Sequence, residues 1–156
     1  DHLLDVHLAQ AERLGRDLGC LMVDVDNFKR FNDVHGHDAG DLVLREVGKV
    51  LGNATREAGL AFRYGGEEFM VLLPGRTVEQ AGARAEDIRK RVSDLKLGHE
   101  AGNLGPVTVS IGVAITPLHC PPDRLVRTAD AALLRAKAMG RDRVEIAQQR
   151  DSFAAT

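Results

Sequence analysis

Apolar residues recur at helical spacing from Leu4 through Leu8, Ala11 and Leu14 to Leu18, and Gly19 fits the position just past a helix end. Cys20–Val25 follows as an uninterrupted apolar run, the pattern of a strand buried on both faces. Phe28–His35 leaves room for one short helix before Gly36, and Asp38 or Gly40 then opens a second. The apolar face of that second helix is Val43, Leu44, Val47, Val50 and Leu51, and it ends around Gly52 and Asn53. Leu60–Tyr64 and Phe69–Leu73 read as short strands joined by Gly65-Gly66-Glu67-Glu68, with Pro74-Gly75 stopping the second. Val78, Ala81, Ala85, Ile88, Val92 and Leu95 step by three and four through charged residues, which predicts a helix. A glycine-rich loop, Gly98–Pro106, precedes an alternating strand, Val107–Ile115, and Thr116–Pro122 is a further loop. Asp123 starts a helix through Leu125, Ala129, Leu133 and Ala136, closed by Gly140, and Val144–Ala147 is the last strand.

This order predicts an α/β (α+β) fold with a central, mixed, five-stranded sheet flanked by helices; the hairpin makes at least one pair antiparallel. At 156 residues the whole chain, 1–156, is expected to be a single domain, and a chain of that size buries roughly 68–70% of its unfolded surface without needing a staple. A composition that is 44% hydrophobic and 28% charged with a net charge of -2 argues against disorder, a membrane span and a nucleic-acid-binding field. The two cysteines, Cys20 and Cys120, lack metal-ligand spacing, and no leader pattern opens the chain, so a reduced, cytoplasmic setting is expected.

Candidate chemistry concentrates in two places. Leu21-Met22-Val23-Asp24-Val25-Asp26 ends an apolar strand in two acids, and residues two apart on a strand share a face. In Arg63-Tyr64-Gly65-Gly66-Glu67-Glu68-Phe69 two glycines and two carboxylates sit at a turn, where bare backbone lets a phosphate approach. Acids at neighbouring strand ends suit Mg²⁺, which takes one or two carboxylates and completes its octahedron with phosphate oxygens and water. Phosphoryl and nucleotidyl transfer asks little more of a protein than ion sites, in-line geometry and an activated hydroxyl. Asp26 also lies close enough to the helix at Phe28 to serve only as its cap, and Gly65-Gly66 alone is an ordinary turn.

Asp24-Val25-Asp26-Asn27-Phe28-Lys29-Arg30-Phe31-Asn32-Asp33, Gly36-His37-Asp38-Ala39-Gly40-Asp41 and Arg63–Phe69 together resemble the GGDEF domain family of diguanylate cyclases in its Gly-Gly-Glu-Glu-Phe form. The likeness continues through Val109–Val113, Ala129–Ala132, Ala136-Lys137 and Gly140-Arg141 and so covers nearly the whole chain. The resemblance implies a sheet like that of nucleotide cyclases and polymerase palms, and condensation of two GTP into cyclic di-GMP with release of pyrophosphate. It implies Mg²⁺, with Mn²⁺ as a substitute, held by Asp24, the carbonyl of Val25 and Glu67. It makes Asn32 and Asp41 readers of guanine and His37 a substrate contact, although a histidine between glycine-containing turns is equally compatible with a structural role. Phe28 and Lys29 become the turn whose amides reach phosphates, beside Gly65 and Gly66, and Lys137 and Arg141 become phosphate contacts. The alternative for the last pair is to complement a helix C-terminus. Glu67 is also the candidate for deprotonating the 3′-hydroxyl, with Glu68 assisting at a second ion.

The family's Arg-x-x-Asp inhibitory site corresponds to Arg56-Glu57-Ala58-Gly59, where only Arg56 remains, so weak or absent product inhibition is expected. Leu134 stands where a tyrosine is common, and the chain begins at Asp1-His2-Leu3-Leu4, beyond the family's usual opening segment and without a sensor domain. The resemblance further implies a transient homodimer that brings two GTP-loaded sites face to face, with a regulatory domain elsewhere in the full-length protein. Two other functions compete: a receptor for GTP or cyclic di-GMP that signals through a partner, and a palm-like transferase acting on nucleic acid. The retained Asp24, Glu67 and Glu68 argue against the first, and 4% aromatics with no tryptophan argue against the second.

Overall fold

The computed structural model describes residues 2–57, 59–99 and 102–148. In chain order the elements are α1 (His2–Leu14), β1 (Leu18–Val25), α2 (Phe28–His35), α3 (His37–Ala54), β2 (Leu60–Arg63), β3 (Glu68–Pro74), α4 (Val78–Ser93), β4 (Gly98–His99), β5 (Gly102–Asn103), β6 (Val109–Thr116), α5 (Leu125–Ala138) and β7 (Val144–Ile146). Five strands form one mixed sheet in the order β2-β3-β1-β6-β7, and all neighbours are antiparallel except the parallel pair β6 and β7. The α+β architecture expected from the element order is the one observed.

The apolar run at β1 explains why it lies in the middle. Every residue of β1 and of β6 is buried, which only a strand covered on both faces can satisfy. Alternate residues then supply two cores. Leu21, Val23 and Val25 pack with Val71, Leu73, Ile111 and Val113 against α3 and α4. Leu18, Cys20 and Met22 pack with Met70, Leu72 and Ala114 against α5 and α1. Each large apolar side chain so enclosed contributes about 1.5–3 kcal/mol. The two-residue period decides the direction of the next group: Asp24 continues the face of Cys20 and Met22, toward α5.

Two close approaches fix the layers. A Cβ on Gly112 would lie 2.2 Å from the carbonyl oxygen of Ala129 and 2.3 Å from the amide nitrogen of Leu133, so α5 rests directly on the β6 backbone. On the other face α4 begins with a reciprocal cap, Thr77 Oγ1 accepting from the Gln80 amide and Gln80 Oε1 from the Thr77 amide.

Several boundaries differ from the sequence expectation; β6 begins at Val109 rather than Val107, and α3 at His37 rather than at Asp38 or Gly40. The first helix stops at Leu14, and Gly15, at φ 63°, ends it; Leu18 and Gly19 belong to β1, paired with Pro74 and Leu73 on one side and Thr116 and Ile115 on the other. Tertiary pairing overrides a helical spacing that happened to run on. The predicted loop 98–106 holds the β4–β5 ribbon, whose connecting residues lie outside the described ones. The last helix begins at Leu125, after a single 3-10 turn at Pro122–Arg124.

Candidate active site

The antiparallel register sets Asp24 of β1 opposite Glu68 of β3 and, on its other side, opposite Ser110 of β6. Past the end of β3 the ladder continues by one bond: the Val25 amide donates to the Glu67 carbonyl at 3.2 Å. The acids predicted from two distant motifs therefore meet at one sheet end. Lys137 reaches them from the last turn of α5, and its ammonium is ion-paired with Asp24 Oδ2.

The electrostatics of this cluster are adverse. Asp24 is 4% exposed, and burial holds its carboxyl above the usual range against the opposing pull of Lys137. Glu67 is shifted up by burial and then by the charge of Asp24, and Glu68 by burial, Asp24 and Asp130. At Lys137 burial disfavours the charge, but the neighbouring acids prevail and its pKa is raised. Asp24 Oδ1 is buried without a hydrogen-bond partner. Carboxylates directly opposite on paired strands repel, so the arrangement is one that bound positive charge would relieve.

The turn between β2 and β3 has an unexpected basis. Neither Gly65 nor Gly66 has positive φ, so the glycines are not demanded by backbone conformation. What they provide is space: a Cβ on Gly65 would come 3.3 Å from Glu68 Oε1, and nothing lies within 4 Å of one on Gly66. Tyr64 and Gly65 amides both donate to the Glu68 carbonyl, at 2.8 and 3.2 Å. Arg63 grips the turn from outside, Nε donating to the Gly65 carbonyl at 3.2 Å and a terminal nitrogen to the Gly66 carbonyl at 2.5 Å.

A second group forms where α2 meets α3. Gly40 packs against Asn32 so closely that a Cβ would fall 1.8 Å from Asn32 Oδ1, an atom that is itself buried and without a hydrogen-bond partner. Asp41 and His37 are exposed on the first turns of α3. At the start of α2, Asn27 takes a left-handed conformation and makes no side-chain cap, so the first-turn amides at Phe28 and Lys29 are not covered by it. Asp26 does not cap α2 either: its carboxylate accepts from Thr108 Oγ1, Ser110 Oγ and the Asp142 amide.

Arg141 is exposed just past the end of α5, four residues beyond Lys137. Arg56 donates to Asn53 Oδ1 at 2.8 Å and lines a cavity of about 510 Å³ with Arg76, Arg84 and Arg91. Ala58 lies outside the described residues, and a Cβ on Gly59 would sit 2.8 Å from the Leu72 carbonyl oxygen, leaving no room for an aspartate on this backbone. Sequence reasoning missed Arg63, Asp130 and the role of Asp26. Asp130 alone carried a local signal, two helical turns before Lys137 on the same face of α5.

No helix among the described residues is long and apolar enough to cross a membrane. The chain is 40% identical over 139 residues to diguanylate cyclase DosC of Escherichia coli K12, covering 89% of this chain and 30% of that protein. It is 39% identical over 149 residues to diguanylate cyclase A of Treponema denticola, covering 95% and 39%. It thus spans about a third of the length of these curated relatives. Among solved structures, the GGDEF domain of DgcB from Caulobacter crescentus, in complex with c-di-GMP, superposes with a TM-score of 0.88 at 37% identity, over 94% of this chain and 86% of that one. The active GGEEF domain of a diguanylate cyclase from Vibrio cholerae gives 0.83 at 34% identity, over 92% and 91%. The family model for the diguanylate cyclase GGDEF domain matches residues 1–143, and with the fold in agreement the chain belongs to the GGDEF family.

Proposed function

We propose that this domain condenses two GTP into one cyclic di-GMP. In each of two steps a ribose 3′-oxygen attacks an α-phosphorus, the bond to the β-phosphate oxygen breaks, and pyrophosphate leaves; two pyrophosphates are released per product. The observation that carries the reading is the crowding of Asp24, Glu67 and Glu68 at one sheet end, all held toward protonation, with Lys137 among them.

The residues fit a divalent ion. Asp24 Oδ1 is a buried acceptor without a donor, and Glu67 adjoins it. Mg²⁺ takes one or two carboxylates and completes its octahedron with phosphate oxygens and water rather than with protein alone. Asp24, the Val25 carbonyl and Glu67 would hold it, Mn²⁺ being a substitute. When bound, such an ion neutralises phosphate charge and lowers the pKa of the attacking hydroxyl.

The remaining roles belong to side chains and backbone. Asn32 offers its unpartnered Oδ1 to the guanine edge, and Asp41 accepts from the N1 and N2 donors. His37, beside them on α3, completes the wall. Amides at the start of α2, around Phe28 and Lys29, and the open backbone at Gly65 and Gly66 take the phosphates, with Lys137 and Arg141 as counter-charges. Glu67 receives the hydroxyl proton, and Glu68 supports the second ion site. One domain binds one of the two nucleotides, so catalysis needs two copies face to face. With the position of Gly59 closed to an aspartate, product inhibition through Arg56 is weak.

The test is to incubate the domain with GTP and Mg²⁺ over a range of protein concentrations. The reading expects cyclic di-GMP, two pyrophosphates for each, and a rate per chain that rises with concentration. Saturable GTP binding without product, even at high concentration, would favour a receptor instead.

A further inference from the structure

We propose that Asp26 is a positioning residue that tethers the turn carrying Arg141 to the sheet, and that it acts through shape rather than as a metal ligand. The inference rests on the reading of Arg141 as a triphosphate contact.

The turn after α5 is unusual. Gly140, Arg141 and Asp142 have φ of 125°, 64° and 47°, three left-handed residues in succession, of which only the first is a glycine. Such backbone persists in L-residues only where the surroundings hold it, and it gathers at functional sites. The first part is a helix C-cap, the Arg141 amide donating to the Ala136 carbonyl at 2.9 Å and Gly140 to Lys137 at 3.3 Å. The second part is held locally by Arg143, whose Nε donates to the Arg141 carbonyl at 3.2 Å, and otherwise from outside. Asp26 Oδ2 accepts from the Asp142 amide at 3.0 Å, and Arg89 of α4 donates to Asp142 Oδ1 at 2.8 Å. Beyond it the Ile111 amide donates to the Arg143 carbonyl at 3.0 Å and starts the β6–β7 pairing.

Asp26 is anchored in turn. Its other contacts are Thr108 Oγ1 at 2.7 Å, just before β6, and Ser110 Oγ at 2.6 Å, within it, and Ser110 is fully buried. Both carboxylate oxygens are therefore engaged by donors of the protein. The second acid of the Asp-Val-Asp segment thus joins β1, β6 and the α5–β7 turn, while the first faces Lys137.

The chemistry separates this role from metal binding. An asparagine at 26 keeps one oxygen for Thr108 and the Asp142 amide, and its NH₂ can donate to Ser110 once that hydroxyl rotates to accept. A metal ligand loses its charge in the same change. Asp26→Asn and Asp26→Ala are compared for amide hydrogen exchange at Asp142 and for equilibrium binding of GTP and of GMP, with melting curves to establish folding. Asp26→Ala is expected to speed exchange at Asp142 and weaken GTP about tenfold with GMP unchanged, and Asp26→Asn to stay within about threefold of wild type, a factor of ten being about 1.4 kcal/mol. If Asp26→Ala does not fold, Arg89→Met removes the other tether, a half-buried guanidinium that also pairs with Glu86, and is expected to weaken GTP selectively by a few-fold. Equal damage from Asn and Ala, parallel loss of GTP and GMP, or slow exchange retained at Asp142 in the alanine variant would overturn the proposal. Arg141→Ala separates the two claims: if it weakens GTP and Asp26→Ala does not, the tether is wrong and the site reading stands. If Arg141→Ala leaves GTP affinity unchanged, the site reading fails and this inference with it, whatever the exchange at Asp142.

Discussion

At the scale of residues, the site is a place where burial works against charge. Asp24, Glu67 and Glu68 all have folded pKa values above their ordinary ones, with burial the first cause in each. The sign of the consequence is definite. A carboxyl whose folded pKa exceeds its unfolded pKa binds its proton more tightly when folded. It therefore weakens the fold above the folded pKa and has no effect below the unfolded one. Glu67→Gln is accordingly expected to raise the melting temperature at neutral pH, with the gain vanishing as pH falls through the carboxylate range; a lower melting temperature at pH 7 would contradict the account. A second prediction concerns Gly40. Its Cβ would fall on the end of the Asn32 side chain, which can swing aside, so Gly40→Ala is expected to leave stability within about 1 kcal/mol while weakening GTP binding and its preference over ATP. Titration of both nucleotides checks it, and unchanged GTP affinity would remove Asn32 from the guanine site.

At the scale of elements, the face of α5 that rests on β6 is what delivers Lys137 to Asp24. Gly112→Ala forces a methyl group into the Ala129 carbonyl and the Leu133 amide, backbone atoms that have no rotamer to change. Overpacking of this kind costs about 1–3 kcal/mol, and denaturant unfolding should show at least that loss, with activity falling further because the helix moves away from the acids. The same scale shows what was legible in advance. The β1 and β6 runs, the long periodic helices and the Gly-Gly-Glu-Glu turn are local patterns, and the sequence places them to within a few residues. What it misplaces depends on distant partners. Leu18 fits both the helical spacing of α1 and the alternation of β1, and its pairing with Pro74 and Thr116 decides the matter. Asp26 has the position of a cap, yet its partners Thr108 and Ser110 lie 82 and 84 residues away. The grip of Arg63 on the glycine carbonyls is short-range, but it depends on a turn conformation that composition does not specify.

At the scale of the whole molecule, one sheet end gathers residues from β1, the β2–β3 turn and α5, and the α2–α3 corner carries the proposed guanine contacts Asn32, His37 and Asp41. The two cores on either side of the sheet hold these parts in register, which is why an adverse charge cluster can survive within the fold. A chain with a net charge of -2 supplies no broad field for nucleic acid, in keeping with the small nucleotide proposed as its substrate. The central claim is that this cluster is kept for catalysis. It is tested most directly by measuring cyclic di-GMP formed from GTP and Mg²⁺ by wild type and Glu67→Gln at matched concentrations. The account predicts product from the wild type and a loss of about 10²- to 10⁴-fold in the variant, with its fold intact. Full turnover by Glu67→Gln would contradict it.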